Sequence, residues 1–135
     1  MLALSRGNGG KIMQIDRYLH SALLVSDLER AEYFYGTVLG LPKVDRTLKF
    51  PGVWYQVGAY QIHLIVDTNL QVNLQNEEKW GRNPHLAFSI DNLEAAKARL
   101  ENSGFPVQTS ASGRAALFTR DPDGNVIELS VATRN

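Results

Sequence analysis

Two stretches of this 135-residue chain are related by a fixed offset of 65 positions. Residues 20–31 laid on 85–96 agree at His20/His85, Ala22/Ala87, Leu28/Leu93, Glu29/Glu94 and Ala31/Ala96. Five of the twelve positions agree, where average amino-acid usage would give about one. The same offset carries Ile62-His63-Leu64 onto Ile127-Glu128-Leu129. A chain that repeats in this way folds as two equivalent supersecondary units, and units this small bury a core only by sharing it.

Local signals repeat with the residues. Residues 18–25 read as a strand, and Ser26 with Glu29 three positions on forms the S-x-x-E box that opens a helix. Leu28, Ala31, Phe34 or Tyr35, and Val38 recur at helical spacing before Gly40 and Pro42 end the run. Short β-rich pieces follow at 44–47, 53–57 and 60–66, the last two joined by a Gly58-Ala59 turn. Residues 67–83 are polar and read as a connector with one helical turn around Trp80. The second unit restarts as a strand over 85–90, a helix capped by Asp91 with Glu94 at its third position and ended by Gly104, and strands near 107 and 114–119. A last strand follows the Asp121-Pro122-Asp123-Gly124 turn. The fold class is α+β: two tandem βαβββ modules, over 14–66 and 84–132, in a single domain of residues 13–135. Residues 1–12, rich in Gly, Ser and Asn, read as a flexible leader.

Chemistry follows from the same register. The chain has three histidines, His20, His63 and His85, and all stand at repeat-equivalent positions with Glu128 as the fourth. His20 precedes His63 by 43 residues, and His85 precedes Glu128 by 43. A carboxylate in mid-strand needs a partner, because burying it unpaired costs several kcal/mol. Strand alternation puts His20 on a face with Ala22 and Leu24, and His85 on one with Ala87 and Ser89, while Leu and Ile neighbours turn toward the helices. A pseudo-twofold arrangement can then bring three imidazoles and a carboxylate to one concave face. That donor set suits a divalent ion, whether Zn, Ni, Fe, Mn or Co.

Composition narrows the partners. Fourteen basic residues balance fourteen acidic ones without a basic run, so no nucleic-acid or anionic-membrane footprint is present, and a small-molecule substrate is the expected partner. No apolar run reaches the roughly 18–20 residues of a membrane span. The absence of cysteine excludes disulfides and thiolate ligands and accords with a reducing, cytoplasmic setting. Tyr33, Phe34 and Tyr35 read as core packing, and Asp121 and Asp123 as turn formers.

Three segments carry a family resemblance: HSALLVSDLERAEYFY at 20–35 with Leu39-Gly40, His85 before LAFSID, and DPDGNVIEL at 121–129. Over residues 14–132 the chain resembles the vicinal oxygen chelate superfamily, the family of glyoxalases, bleomycin resistance proteins and extradiol dioxygenases. The resemblance implies a curved, cup-like mixed sheet with helices outside, and makes His20, His85 and Glu128 metal ligands with His63 at the fourth position. Glyoxalase I usually holds Glu at that fourth position, epimerases often Gln, and the dioxygenases use a His-His-Glu triad alone. The implied activity is that of a divalent-metal-dependent lyase, isomerase or epimerase that chelates a small substrate through neighbouring oxygens and stabilises an enediolate-like intermediate, with Glu128 or His63 moving the proton. An Fe(II) ring-cleaving dioxygenase is the alternative, less suited because a fourth ligand occupies a position O₂ needs. A metal-free drug-binding module is a third, though its members generally lack the ligand set. Use of a thiol cofactor stays open.

Trp54, Tyr55, Phe50 and Arg46 stand where the superfamily lines its pocket, and alternation lets only one of Trp54 and Tyr55 face it. Arg114 or Arg120 could hold a substrate carboxylate, although arginine is mostly an exposed residue. Such chains often form homodimers, and the site can lie within one chain or across two.

Overall fold

The computed structural model describes residues 12–45, 47 and 49–132. All of the expected leader but its last residue, and Arg46, lie outside the described residues. Module one consists of β1 (His20–Val25), α1 (Leu28–Glu32) running into a wide turn of π-helix (Tyr33–Val38), β2 (Gly52–Val57) and β3 (Tyr60–Val66). A single 3₁₀ turn (Trp80–Arg82) marks the connector, as expected around Trp80. Module two consists of β4 (His85–Ile90), α2 (Leu93–Asn102), β5 (Val107–Thr109), β6 (Ala116–Arg120) and β7 (Val126–Val131). Of the piece expected at 44–47, Arg46 lies outside the described residues; just before it Lys43 forms an isolated bridge with Tyr55. Pro42, which has no N–H to give, contributes only its carbonyl, to Gln56.

Both helices start one residue later than the S-x-x-E and D-x-x-E patterns imply. Asp27 rather than Ser26 caps α1, accepting the Arg30 N–H at 2.9 Å, and Asn92 rather than Asp91 caps α2, accepting from Ala95 at 3.0 Å. The two caps are themselves 65 residues apart and share extended dihedrals, φ −141° and −142°. A short carboxylate or amide side chain in that conformation reaches the third N–H of the helix, which is what capping requires. At the other end, Gly40 and Gly104 take φ of +77° and +85°, closing each helix as the sequence implies.

The α+β class and tandem modules are as read, and the strands form two open sheets, ordered β1-β3-β2 and β4-β7-β6-β5. Each first strand lies at an edge and pairs in parallel with the last strand of its module, Ala22 beside His63 and Ala87 beside Glu128. Register fixes the faces. Val25, Leu64, Val53 and Tyr55 of the first sheet, and Leu117, Ile127 and Leu129 of the second, share one core with Ala31, Phe34, Tyr35, Val38 and Leu100 of the helices. Both sheets and both helices contribute to this one core, and His20, His63, His85 and Glu128 lie on the strand faces opposite it.

Polar ties cross between modules over this core. Arg99 of α2 donates from Nε to the Val38 carbonyl at 2.7 Å and from Nη2 to the Thr37 carbonyl at 2.8 Å, satisfying carbonyls that a helix end leaves open. In the turn before β7, the Asp121 carboxylate accepts the Tyr35 hydroxyl at 2.6 Å, and Asp123 accepts the Ser26 N–H at 2.9 Å. Asn125 donates to the Leu24 carbonyl at 3.1 Å. Asp121 and Asp123, turn formers by sequence, thus also clasp module one together with Asn125. Among the described residues, no helix is long and apolar enough to cross a membrane.

Candidate metal centre in two halves

On the first sheet, three rings lie in a stack. The Trp54 ring lies 3.6 Å from that of His63 at an interplanar angle of 4°, and His63 lies 4.0 Å from His20 at 15°. The hairpin register makes this contact, since the two-residue Gly58-Ala59 turn pairs Val57 with Tyr60 and therefore Trp54 with His63. Trp54 is thus the member of its pair that shares a face with His63 and His20. Tyr55 is 1% exposed on the opposite face, with Gly36 so close that an added Cβ would sit 3.2 Å from its hydroxyl, so its assignment to substrate binding is corrected to core packing. Phe34 and Tyr35 are fully buried as expected, while Tyr33 is half exposed.

The second half lies on the β4-β7 ladder. His85 Nδ1 lies 2.6 Å from the Asn83 carbonyl, an acceptor only, so Nδ1 carries the ring proton. His85 Nε2 then faces Glu128 Oε1 at 3.1 Å. A proton on Nε2 as well makes this contact a hydrogen bond to the carboxylate, and a divalent cation would fit the same gap. A ring tied through its other nitrogen to a backbone carbonyl is also how metal-binding imidazoles are commonly held. Ser130 donates to Glu128 Oε2 at 2.5 Å, and Arg114 stands 3.5 Å from the same oxygen. Burial pushes the Glu128 carboxyl up, but the Ser130 and His85 hydrogen bonds and the Arg114 charge outweigh it and hold the group below the usual carboxylate range.

The connector closes one end of this half. Gln108 accepts the Trp80 N–H at 2.9 Å, and the Arg120 guanidinium lies 5.8 Å from the centre of the Trp80 ring. Gly81 lies against Phe118, whose ring stands edge-on to His85 at 5.7 Å. Arg120 also donates to the Gly124 carbonyl at 3.0 Å, which gives it a structural place, while Arg114 is about half exposed at the rim. Phe50 is 43% exposed.

The structure therefore pairs His20 with His63 and His85 with Glu128. Among the described residues, no three groups of His, Asp or Glu come close enough to hold one ion. The donor types fit a divalent ion, and each half supplies two of them. Sequence reasoning missed Gln56, Gln61 and Ser130, although reflection about the Gly58-Ala59 turn was a usable signal for the first two.

A three-stranded and a four-stranded sheet, each opening on a β-α unit and carrying histidine or carboxylate at equivalent strand positions, define an α+β chain of two tandem modules. The family profile of the Glyoxalase/Bleomycin resistance protein/Dioxygenase superfamily matches residues 17–129, and the chain belongs to that superfamily. It is 31% identical over 123 residues to a lactoylglutathione lyase of Salmonella typhimurium, covering 84% of this chain and 90% of the relative. It is 27% identical over 139 residues to human mitochondrial methylmalonyl-CoA epimerase, covering 91% of this chain and 78% of that protein. A crystal structure of a glyoxalase/dioxygenase from Nostoc punctiforme has the same fold, with a TM-score of 0.72 at 23% identity over 99% of both chains.

Proposed function

We propose that this protein is a divalent-metal-dependent enzyme of the glyoxalase type, a lyase, isomerase or epimerase, whose site is completed by a second copy of the chain. One observation carries the reading: His85 Nε2 and Glu128 Oε1 point at each other at 3.1 Å while Nδ1 is tied to the Asn83 carbonyl. The His20–His63 pair is the complementary half. Both first strands, β1 and β4, are sheet edges, and β1 with its approach exposes Tyr18, Leu19 and Leu24. An edge of this kind is a template for another chain, and a twofold pairing of β1 with the partner's β4 would join the two halves twice over, once at each end of the interface.

In that assembly His20, His63, His85 and Glu128 would hold the ion, which would bind the substrate through its neighbouring oxygens. The bound ion would supply Lewis-acid stabilisation of the developing enediolate charge. Glu128 is kept anionic by its donors and can take a proton from the carbon between those oxygens; His63 is the alternative carrier. Trp54 forms an apolar wall beside His63, and Arg114 at the rim is placed to meet a substrate carboxylate. The relatives named for lactoylglutathione and methylmalonyl-CoA support acyl thioesters as the substrate class to examine first.

Metal analysis of the purified protein tests this reading, followed by assays of the loaded protein on thiol hemithioacetals, acyl-thioester epimerisation and catechols. About one divalent ion per site is expected, lost in His85→Ala and Glu128→Ala, with turnover in the first two assays. Unchanged metal content in both variants would overturn the centre, and catechol turnover with O₂ consumption would overturn the reaction class.

A further inference from the structure

His63 is held by a chain of side-chain amides whose direction is fixed at one end. Gln56 Nε2 lies 2.8 Å from the Gly58 carbonyl, which can only accept. The other terminal atom of Gln56 is therefore its oxygen, and it lies 3.0 Å from Gln61 Nε2, which donates to it. Gln61 then presents its own oxygen to His63 Nε2, at 2.8 Å. An amide oxygen has no proton to give, so Nε2 must carry it. Orientations of amides and imidazoles are otherwise open to reversal, but here a backbone carbonyl anchors the sequence of donors. Reversing the ring instead would press a carbon against the Gln61 oxygen at hydrogen-bond distance. Rotation is opposed as well by Trp54 and His20 stacked at 3.6 and 4.0 Å on the two ring faces.

We infer that Gln61, anchored by Gln56, is a positioning residue that locks His63 in its Nε2–H tautomer, so that Nδ1 is the nitrogen His63 offers to a divalent ion. The inference rests on the metal reading above for its second half only; the tautomer lock stands on the metal-free chain. It sets the two halves of the centre apart, because the Asn83 carbonyl fixes His85 in the opposite tautomer, with Nδ1 protonated and Nε2 presented. His63 and His85 would thus meet one ion through different nitrogens. The two oxygens of a glutamate are equivalent and present no such choice, so a histidine at this fourth position has a use for the Gln56–Gln61 chain that a glutamate would not have. Both glutamines flank the Gly58-Ala59 turn and pair with each other across it, which places the whole device within one hairpin.

The test reads the tautomer directly, by long-range ¹H–¹⁵N correlation of the imidazole nitrogens in metal-free, ¹⁵N-histidine-labelled protein at a pH where the ring is neutral. Wild-type His63 should show a single Nε2–H form with an Nε2 proton protected from exchange. Gln61→Leu should lose that protection and mix the tautomers; Gln56→Leu, which leaves Gln61 in place but unanchored, should mix them as well while His85 is unchanged. Addition of Zn²⁺ to wild type should then move the Nδ1 resonance of His63 and the Nε2 resonance of His85, and Gln61→Leu should weaken Zn²⁺ binding about 10- to 100-fold. A wild-type His63 protonated on Nδ1, or a tautomer indifferent to both substitutions in folded protein, overturns the lock. Zn²⁺ shifts at His63 Nε2 overturn the ligation half. Failure of the wild type to bind Zn²⁺ at all, with the tautomer result intact, refutes the metal reading and leaves the lock standing.

Discussion

Tyr35→Phe removes one oxygen from the core and tests whether the clasp between modules is energetic. The Tyr35 hydroxyl donates to Asp121 Oδ2 at 2.6 Å, and both residues are at least 96% buried, with relative exposures of 0% and 4%. The carboxylate keeps three other donors, the N–H groups of Asp123 and Asn125 on Oδ1 and the Asn125 amide on Oδ2. A hydrogen bond to a charged acceptor is worth about 1.5–3 kcal/mol, and phenylalanine fills the same shape, so the loss should fall in that range without a cavity contribution. For a chain of this length that is roughly 5–12 °C in Tm. Urea unfolding at neutral pH, with the slope compared between variants, gives the number. A cycle with Asp121→Asn should show a coupling of about 0.5–3 kcal/mol, because the two side chains touch. A loss below about 0.5 kcal/mol, or additive effects in the cycle, would show that the contact is geometric only. Burial raises the Asp121 carboxyl while Tyr35 and Asn125 pull it down. Tyr35→Phe should therefore raise it further, visible in a carboxyl titration by NMR.

Other perturbations probe different parts of the account. Gly81→Ala would place a Cβ 2.6 Å from Phe118, and the ring can yield only toward its neighbours, which include His85; a loss of about 1–3 kcal/mol is expected with weakened metal binding, and a neutral result would mean that the connector does not shape the site. Burial and the Asp121 charge push the Tyr35 phenol well above its usual value, and burial with the Glu32 charge pushes Tyr55 up to about 12. Unfolded chains lose these protons near pH 10 while the folded chain keeps them, so the unfolded state binds fewer protons and stability should fall as pH rises from about 10 toward 12. Urea midpoints across that window check it, and a flat profile would contradict the burial of both hydroxyls. Arg114→Ala should change stability by less than about 1 kcal/mol, because the residue is half exposed, yet raise KM selectively for substrates bearing a carboxylate; an equal effect on uncharged substrates would remove it from recognition.

The 65-residue offset made the two-module fold legible, down to the equivalence of His63 with Glu128, because each module must place the same strand positions on the same face. Alternation correctly sent Ile62, Leu64, Ile127 and Leu129 to the core. The caps at Asp27 and Asn92 were misplaced by one residue because adjacent Ser26 and Asp91 are equally good capping types, and only backbone dihedrals separate such neighbours. Choosing Trp54 over Tyr55 needed the hairpin register, which the two-residue turn encodes but composition does not. The clasp of Asp121 and Asp123 on Tyr35 and Ser26 was illegible, since it depends on how one module's turn meets the other module's helix. So was the division of the four candidate ligands into two pairs, because a sequence repeat states equivalence and says nothing of distance.

The central claim, a metal centre shared between two chains, is most directly tested by complementation. His20→Ala destroys the half-site of β1, and Glu128→Ala destroys that of β7; neither homodimer should hold a divalent ion. Refolded together with two different affinity tags, the mixed dimer contains one intact pairing, the His20 and His63 of one chain with the His85 and Glu128 of the other. Metal analysis of the doubly purified mixed dimer should return about one ion per two chains, half the wild-type content. A mixed dimer as empty as its parents, beside a wild type that binds metal, would place the whole centre within a single chain and contradict the account.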